Sequence, residues 1–320
     1  MSLTRRLSPF FAVLGLAALA VYSGGAIEGA RRGLSACALV LIPSLFPFFI
    51  ISSLLRSTGA VSALARAAAG IMPRLFGVPG CTAAALVLGL AGGYPIGAAA
   101  IGELVRSGEL TPDEADRALA FCNNSGPAFL IGAAGAGIFS SPAAGALLYA
   151  SHITSALLAG LILRGKRGRA LAVSLPAAAE PASGSFTEAV TGSVRSMLTV
   201  CGYVVAFSAL TGALEAAGIF SRLAGELALR TGLGLKLSRA LLTGFFELGG
   251  GLSALSGAGM TPVSLACASL LAAWGGLSVH FQTAAVIAGT GVSLRRHTAG
   301  KLLSACLSAA ITLLSAGLIM

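Results

Sequence analysis

Long apolar runs separated by short polar stretches dominate this chain. Nine apolar segments can be read along it, at about 8–25, 34–55, 81–102, 119–139, 142–163, 195–217, 239–256, 262–288 and 301–319. Runs of about 20 apolar residues are long enough to cross a bilayer as helices. The pattern therefore predicts an all-α, polytopic membrane protein with eight or nine transmembrane or re-entrant segments.

Two of these segments are interrupted by glycine, proline and amide side chains, at residues 92–97 (GGYPIG) and 121–127 (FCNNSGP). Lipid cannot satisfy the backbone groups that a broken helix exposes, so such breaks survive only inside protein or beside a cavity. In transporters, broken helices carry the substrate site. We therefore predict a polar substrate site within the membrane. Its candidate residues in these two breaks are Gly93, Tyr94, Gly97, Asn123, Asn124 and Ser125.

The second break also predicts a helix start at membrane depth. Pro127 suits the first position of a half-helix over 127–139, whose N-terminus would direct free N–H groups into the break. Anions are favoured at such a terminus. Two plainer interpretations stay open: the two amides only hold the bundle together, and the glycine-rich break is only a kink with tight packing.

The second half of the chain contributes further polar residues inside apolar segments. Glu247 precedes three glycines. A carboxylate at membrane depth is costly, so we expect it either to carry a proton or cation or to be fixed by hydrogen bonds. His280 is predicted to bind substrate or a proton, with a structural role as the alternative. Ser278 and Gln282 complete this group of candidate substrate-binding residues.

An internal repeat relates the two halves. A shift of 155 residues aligns an amphipathic stretch, a glycine-broken segment and a polar-broken segment with similar features later in the chain. The amphipathic stretches, 60–75 and 219–236, are predicted to be interfacial helices. Repeated halves with paired broken helices are typical of transporters. The predicted divisions are an N-terminal transmembrane helix at 1–33, a first repeat at 34–163, a linker at 164–194 and a second repeat at 195–320.

Whether segments 119–139 and 262–288 span the membrane or re-enter stays open. The basic residues are distributed more asymmetrically if both re-enter, which fits the positive-inside rule better and makes the repeats inverted. At the N-terminus, Arg5 and Arg6 precede an apolar run that is similar to a signal peptide. Because so many apolar segments follow, we expect an uncleaved first helix.

The loop before residue 119 carries a helix start. Thr111 is a good N-cap, Pro112 suits the first helical position, and Glu114 completes a capping box. We expect the first turns of this helix to face water, through Asp113, Glu114, Asp116 and Arg117.

Composition and the absence of known motifs limit the classes of function that the chain can have. The chain is 56% hydrophobic and 10% charged, whereas soluble proteins contain about 25% charged residues. The net charge of +10 comes from basic residues near segment ends, including Arg295, Arg296 and Lys301, which are interpreted as topology signals and headgroup contacts. The six scattered cysteines include no CxxC pair, and HExxH, P-loop and GxSxG motifs are absent. We therefore predict no enzyme activity, metal, cofactor or nucleic-acid partner.

At these motifs the chain resembles the YlbJ-type sporulation integral membrane proteins. They belong to the wider "nucleoside recognition" or Gate-domain group, which includes the gates of concentrative nucleoside and ferrous iron transporters. The resemblance covers roughly residues 35–319. Its most specific part is 121–127, supported by residues 93–98, 114–115, 131–132, 275–280 and Gln282.

The resemblance implies a protein of endospore formation in a mother-cell or forespore membrane. It further implies transport of a small, anionic metabolite, with dipicolinic acid as the leading candidate. Family members often have a lysine after Gly-Ala in the first motif, where this chain has Ala98-Ala99-Ala100. A fixed positive charge at that point is therefore expected to be absent, which leaves helix ends, Asn side chains and His280 to hold an anion.

Two alternatives to anion transport stay open, a nucleoside carrier and a non-transporting scaffold of a sporulation membrane complex. The expected partners are membrane lipids and a small-molecule substrate. A homo-oligomer or a complex with other sporulation membrane proteins is a further expectation.

Overall fold

Helices make up the regular secondary structure. The computed structural model describes residues 13, 15–57, 63, 66–68, 70–165 and 185–320, and no β-strand occurs in these ranges. The helices are α1 (Ser23–Ala36), α2 (Ile42–Ser57), α3 (Ile71–Leu75), α4 (Thr82–Gly92), α5 (Ile96–Arg106), α6 (Pro112–Cys122), α7 (Ala128–Ile138), α8 (Pro142–Ile162), α9 (Phe186–Ala216), α10 (Ile219–Thr231), α11 (Leu235–Phe246), α12 (Leu248–Ser253), α13 (Pro262–Trp274), α14 (Gly276–Val286) and α15 (Arg295–Ser315). A π-helical turn, Cys37–Leu41, joins α1 to α2, and α7 is also π-helical.

Four described segments are long and apolar enough to cross a membrane. They are Pro142–Ile162, Phe186–Ala216, Pro262–Val286 and Arg295–Leu318, and a fifth is obtained if Ser23–Leu41 and Leu45–Ile51, which meet at 53°, form one span. The all-α membrane fold is thus confirmed, whereas the count of eight or nine segments is not. The reason is that three of the predicted segments are divided by breaks into helices of 6 to 12 residues.

Four helix breaks organise the centre of the bundle. They separate α4 from α5, α6 from α7, α11 from α12, and α13 from α14. The first two breaks touch through glycine: a Cβ added at Gly93 would lie 2.9 Å from the backbone nitrogen of Gly126. The other two touch in the same way, because a Cβ at Gly276 would lie 3.0 Å from the carbonyl oxygen of Gly244. Gly93 and Gly276 also have φ of 82° and 77°, which favours glycine.

Close packing of small residues joins α1 to α9. A Cβ at Gly33 would lie 2.9 Å from the side chain of Ser208, and one at Gly29 would overlap the Ser208 carbonyl group. Small residues let helix backbones approach closely where lipid supplies no hydrophobic drive for association. This pair forms one wall of the bundle, and α9 also packs on α2 and α14.

The predicted capping box at the start of α6 is confirmed, since Thr111 and Glu114 bond reciprocally to each other's backbone. The expectation that these first turns face water is confirmed for Asp113, which is exposed, but it is wrong for Asp116 and Arg117, which are buried. Asp116 accepts a hydrogen bond from the backbone N–H of Arg296 at 3.2 Å. Burial raises the pKa of Asp116, and this hydrogen bond opposes the rise. The N-terminal end of α6 is therefore packed against the start of α15.

Two of the predicted domain boundaries fall inside helices, whereas the one at residue 163 follows the end of α8. Helix α9 begins at Phe186, inside the predicted 164–194 linker, while residues 166–184 lie outside the described part of the chain. The boundary at residue 33 falls within α1. The predicted first helix at 8–25 and the stretch 60–75 lie partly outside the described residues. The division into two repeats stays a prediction.

Candidate functional site

A small cavity of about 50 Å³ lies where the helix breaks meet. A water molecule occupies about 30 Å³ in the liquid, so this space holds one or two waters. Apolar side chains of α2 and α9 close one side of it. The rest of the lining includes six residues predicted from the sequence: Gly93, Tyr94, Ser125, Glu247, Ser278 and Gln282.

Lys301 is the main site residue that the sequence interpretation assigned wrongly. Its side chain is fully buried, so it is neither a topology signal nor a headgroup contact. The ammonium group donates to the backbone carbonyl of Asn123, and it lies 3.4 Å from Oδ1 of Asn124 and 3.3 Å from the hydroxyl of Tyr94. A basic side chain is therefore present at the break, although none follows Ala98 in the sequence.

None of the ion pairs between described residues includes Lys301. Its partners are a carbonyl, an amide and a hydroxyl, which are all neutral. A buried charge without a counter-ion is unusual, because removing an ion from water costs several kcal/mol unless an opposite charge compensates it. The site thus holds a buried basic group without a counter-ion among the described residues.

The two asparagines lie behind the cavity lining and hold the break in shape. Asn123 donates to the hydroxyl of Thr283 at 2.8 Å and accepts from the backbone N–H of Ala98 at 3.4 Å. Asn124 donates to the carbonyl of Phe121 at 2.7 Å and directs its other amide atom to Lys301. The amides therefore bond across helices, as the plainer interpretation expects, and they also surround the buried ammonium.

Ser125 and Tyr94 join the first two breaks to α13. The hydroxyl of Ser125 donates to the carbonyl of Ala272 at 3.2 Å, and that of Tyr94 approaches the same carbonyl at 3.3 Å. The backbone N–H of Ser125 donates to Nε2 of His152 at 3.0 Å. Gly97 does not line the cavity; it packs against the backbone of residues 122 and 123.

Glu247 fills the break between α11 and α12 and is buried. Its carboxylate accepts hydrogen bonds from the backbone N–H groups of Gly249 at 2.8 Å and Gly250 at 2.5 Å, and so caps the N-terminus of α12. A carboxylate is favoured at a helix N-terminus by both hydrogen bonds and the helix dipole. Glu247 is therefore fixed in place, and the structure leaves its predicted coupling role untested.

A second, larger cavity of about 380 Å³ shares Glu247 with the first. We call it the vestibule. Its lining is mostly polar and small: Arg32, Gly33, Ala36, Ser208, Thr211, Glu215, Thr243, Glu247, Gly250, Ser253 and Ala254. Arg32 is half-exposed and pairs with Glu215 at 3.0 Å. The vestibule thus extends from an exposed ion pair to the carboxylate beside the central cavity.

His280 lies beside the cavity residues but does not line the cavity. Its ring packs on Trp274, with centroids 4.3 Å apart, and on His297 at 5.2 Å. Nδ1 of His280 bonds to the carbonyl of Gly276 at 2.9 Å. All three histidines of the chain are buried, and His297 is a second residue near the site that the sequence interpretation missed.

Two features of the sequence could have identified Lys301 and His297 as residues near the site. Lys301 is the first residue of an apolar segment, and His297 precedes it by four positions. Residues four apart share a helix face, so both side chains face the same way from α15. No group of three His, Cys, Asp or Glu side chains suited to a metal occurs among the described residues, and the six cysteines are free.

The comparisons with known proteins agree with the motifs. Residues 38–142 match the Gate family model, described as "Nucleoside recognition". The chain is 29% identical over 315 residues to the "Sporulation integral membrane protein YlbJ" of Bacillus subtilis (strain 168), an alignment that covers 90% of this chain and 76% of that relative. No solved structure matches the chain. The predicted resemblance to the YlbJ-type sporulation integral membrane proteins is therefore confirmed, and the chain is an integral membrane protein.

Proposed function

We propose that this protein is a carrier of a small anionic metabolite in a mother-cell or forespore membrane, with dipicolinate as the leading candidate. Substrate binds at the central cavity, between the first two breaks and the residues Glu247, Ser278 and Gln282. The protein acts without a cofactor and performs no chemical reaction on its substrate.

The observation that carries this proposal is the fully buried Lys301 at the Asn123–Ser125 break. Intramembrane charged residues usually mark substrate or ion sites. With only neutral partners among the described residues, the ammonium lacks an anion, and a substrate carboxylate would supply one. Lys301 lies behind the hydroxyl of Tyr94, which lines the cavity, so the carboxylate reaches it when Tyr94 moves aside.

Substrate enters through the vestibule. Ligand pockets generally measure about 300–1,000 Å³, a range that includes the vestibule of about 380 Å³ but excludes the central cavity of about 50 Å³. Glu247 belongs to both linings, so a shift of the α11–α12 break would join the two spaces. Protonation of Glu247 or of His280 is the proposed source of coupling.

A nucleoside carrier is the second candidate, favoured by the description of the Gate family. The supporting observation is that the cavity is lined in part by polar, uncharged side chains, those of Ser278 and Gln282. The Ser278 hydroxyl has no hydrogen-bond partner among the described residues. A nucleoside offers several donors and acceptors to such groups and needs no fixed cation. A scaffold that holds other sporulation membrane proteins, or copies of itself, is the non-transporting alternative.

The proposal is tested by flux of labelled dipicolinate into liposomes containing the purified protein. Lys301→Met removes the charge and keeps a long apolar side chain. We expect saturable flux in the wild type and a loss of at least tenfold in this variant, which corresponds to about 1.4 kcal/mol of binding or transition-state energy. Asn124→Ala, which removes a partner of the ammonium, is expected to reduce flux as well.

The matched control is Lys236→Met, because Lys236 is an exposed lysine on α11. We expect it to transport as the wild type does. Competition by unlabelled carboxylates and by uridine or adenosine distinguishes the two carrier hypotheses. Normal flux in Lys301→Met would refute the site, while a well-folded wild type that moves neither class of compound would favour the scaffold.

A further inference from the structure

Two adjacent buried imidazoles have ring nitrogens without a hydrogen-bond partner. His280 on α14 is 8% exposed and His297 on α15 is fully buried, and their ring centroids are 5.2 Å apart. Nε2 of each ring has no partner within the described part of the chain. Buried polar atoms are nearly always hydrogen-bonded, so two unpartnered nitrogens side by side need an explanation.

The backbone determines where the hydrogen of each ring lies. Nδ1 of His280 lies 2.9 Å from the carbonyl oxygen of Gly276, and Nδ1 of His297 lies 3.1 Å from that of Leu119. A carbonyl oxygen only accepts, so both Nδ1 atoms carry hydrogen. In a neutral ring the remaining nitrogen, Nε2, is then an acceptor with a free lone pair. The pair therefore presents two adjacent acceptors in a buried location.

We infer that His280 and His297 together take up one proton when the anionic substrate binds, so that the protein is a proton–anion cotransporter. This inference rests on the proposed anion carrier and specifies its coupling group. Lys301 follows His297 by one helical turn and has no ion-pair partner among the described residues; in this inference its amine is protonated. A second positive charge beside it, in a medium of low dielectric constant, is unfavourable while the anion is absent.

Binding of the anion removes this obstacle. A dicarboxylate carries two negative charges at neutral pH, Lys301 supplies one positive charge, and a proton on either Nε2 supplies the other. The proton comes from water, adds to a lone pair and leaves again when the anion is released, so no other bond changes. The two charges of the dicarboxylate are then balanced by Lys301 and the imidazolium, which lowers the cost of burying them. Because linkage is reciprocal, the proton also increases affinity for the anion.

Other ionisable groups lie on the helices around this pair. Asp116 on α6 accepts from the backbone of Arg296 at the start of α15, so its carboxylate is already occupied there. His152 on α8 accepts from the backbone of Ser125. Arg106 on α5 donates to the carbonyl of Val286, at the C-terminal end of α14 and six residues beyond His280. The other titratable or charged groups on or beside the helices packed against α14 and α15 are Tyr94, Glu103, Asp113, Glu114, Arg117, Cys122, Tyr149, Glu188, Arg195, Cys201, Tyr203, Glu215, Lys236, Arg239, Glu247 and Cys267.

Calorimetry of dipicolinate binding to the full-length protein tests the inference. Titrations in two buffers with different ionisation enthalpies, at one pH, give the number of protons taken up per anion. We expect about one proton in the wild type, and affinity that rises as pH falls, as linkage requires. In the double variant His280→Asn, His297→Asn, the amides keep the bonds of Nδ1 and remove Nε2, so proton uptake and pH dependence are lost.

His152→Gln is the matched control. Its amide oxygen replaces the ring nitrogen that accepts from Ser125, and the His280–His297 pair is unchanged. We expect this variant to retain proton uptake. A second measurement needs no variant that could misfold. The chain has three histidines, so nitrogen-15 NMR of histidine-labelled protein shows directly whether Nε2 of His280 or His297 gains a hydrogen when dipicolinate is added.

The outcomes separate the inference from the proposed function. Dipicolinate binding without proton uptake, with both Nε2 atoms unchanged, overturns the inference and leaves the anion carrier intact. Uptake that persists in the double variant but is lost in Glu247→Gln also overturns it and assigns coupling to Glu247. If the wild type binds dipicolinate no better than Lys301→Met does, both the proposed carrier and the inference are overturned.

Discussion

Replacement of Lys301 by methionine should abolish transport and yet hardly change stability. Methionine has a similar length and no charge, so the change removes the ammonium group without leaving a large cavity. If the lysine had a structural role instead, its replacement would lower the stability of the protein. The stability of this variant therefore distinguishes a functional lysine from a structural one.

The contacts set the expected magnitude. Lys301 makes one close hydrogen bond, to the carbonyl of Asn123, and two long ones at 3.3 and 3.4 Å, beyond the usual range for N–H···O bonds. A hydrogen bond to a charged group contributes about 1.5–3 kcal/mol, and an unpaired carbonyl costs about 1–3 kcal/mol. Relief from burying an ammonium is worth several kcal/mol. These terms nearly cancel, so the free energy of unfolding should stay within about 2 kcal/mol of the wild type.

Thermal unfolding in detergent measures this effect. A difference of 1 kcal/mol corresponds to roughly 2 °C in Tm for a chain of this size, so Lys301→Met should unfold within about 4 °C of the wild type. Flux of dipicolinate, measured on the same preparation, should fall at least tenfold. A decrease in Tm of more than about 6 °C would show that the ammonium is a structural element, and the reasoning from its missing counter-ion would be refuted.

Three further predictions follow from single contacts. Gly97→Ala places a methyl group against the carbonyl oxygen of Cys122 and should lower the free energy of unfolding by about 1–3 kcal/mol. Its control is Gly132→Ala, where no atom lies within 4 Å of the added carbon, and this variant should not lower Tm. Glu247→Ala removes two cap hydrogen bonds from α12 and should destabilise the protein by about 1–3 kcal/mol, measured by Tm; an unchanged Tm would show that the cap contributes nothing. Thr312→Ala removes a 2.8 Å hydrogen bond from α15 to a serine on α13 and should cost about 0.6 kcal/mol, so a Tm decrease beyond about 4 °C would contradict it.

The sequence predicted the broken helices because glycine, proline and amide residues are conspicuous in apolar runs. Gly93, Tyr94 and Ser125 were selected for this reason, and all three line the central cavity. Ser278, Gln282 and Glu247, chosen as polar residues within the apolar segments of the second half, line it too. Whether these residues bind a substrate stays a prediction.

The sequence misplaced residues whose type is common at membrane surfaces. Lys301 follows two arginines and a histidine within seven positions, a composition typical of a cytoplasmic helix end. Only the packing of α15 against α6, α8 and α13 shows that this turn is covered by protein. Asp116 was misplaced for the same reason, since it lies on α6 where it meets α15, and Arg117 is buried against Gly165, beyond the end of α8.

What the sequence alone determined is the class of protein and the positions of its breaks. Hydropathy identifies an all-α membrane protein because backbone groups in lipid must be satisfied within each helix, and the breaks are local consequences of glycine, proline and amide residues. The tertiary structure decided which polar groups meet. Lys301 lies 178 residues from Asn123, and no local pattern encodes such a contact. The buried lysine, its neutral partners and the neighbouring histidine pair come together only because α15 packs across the break between α6 and α7.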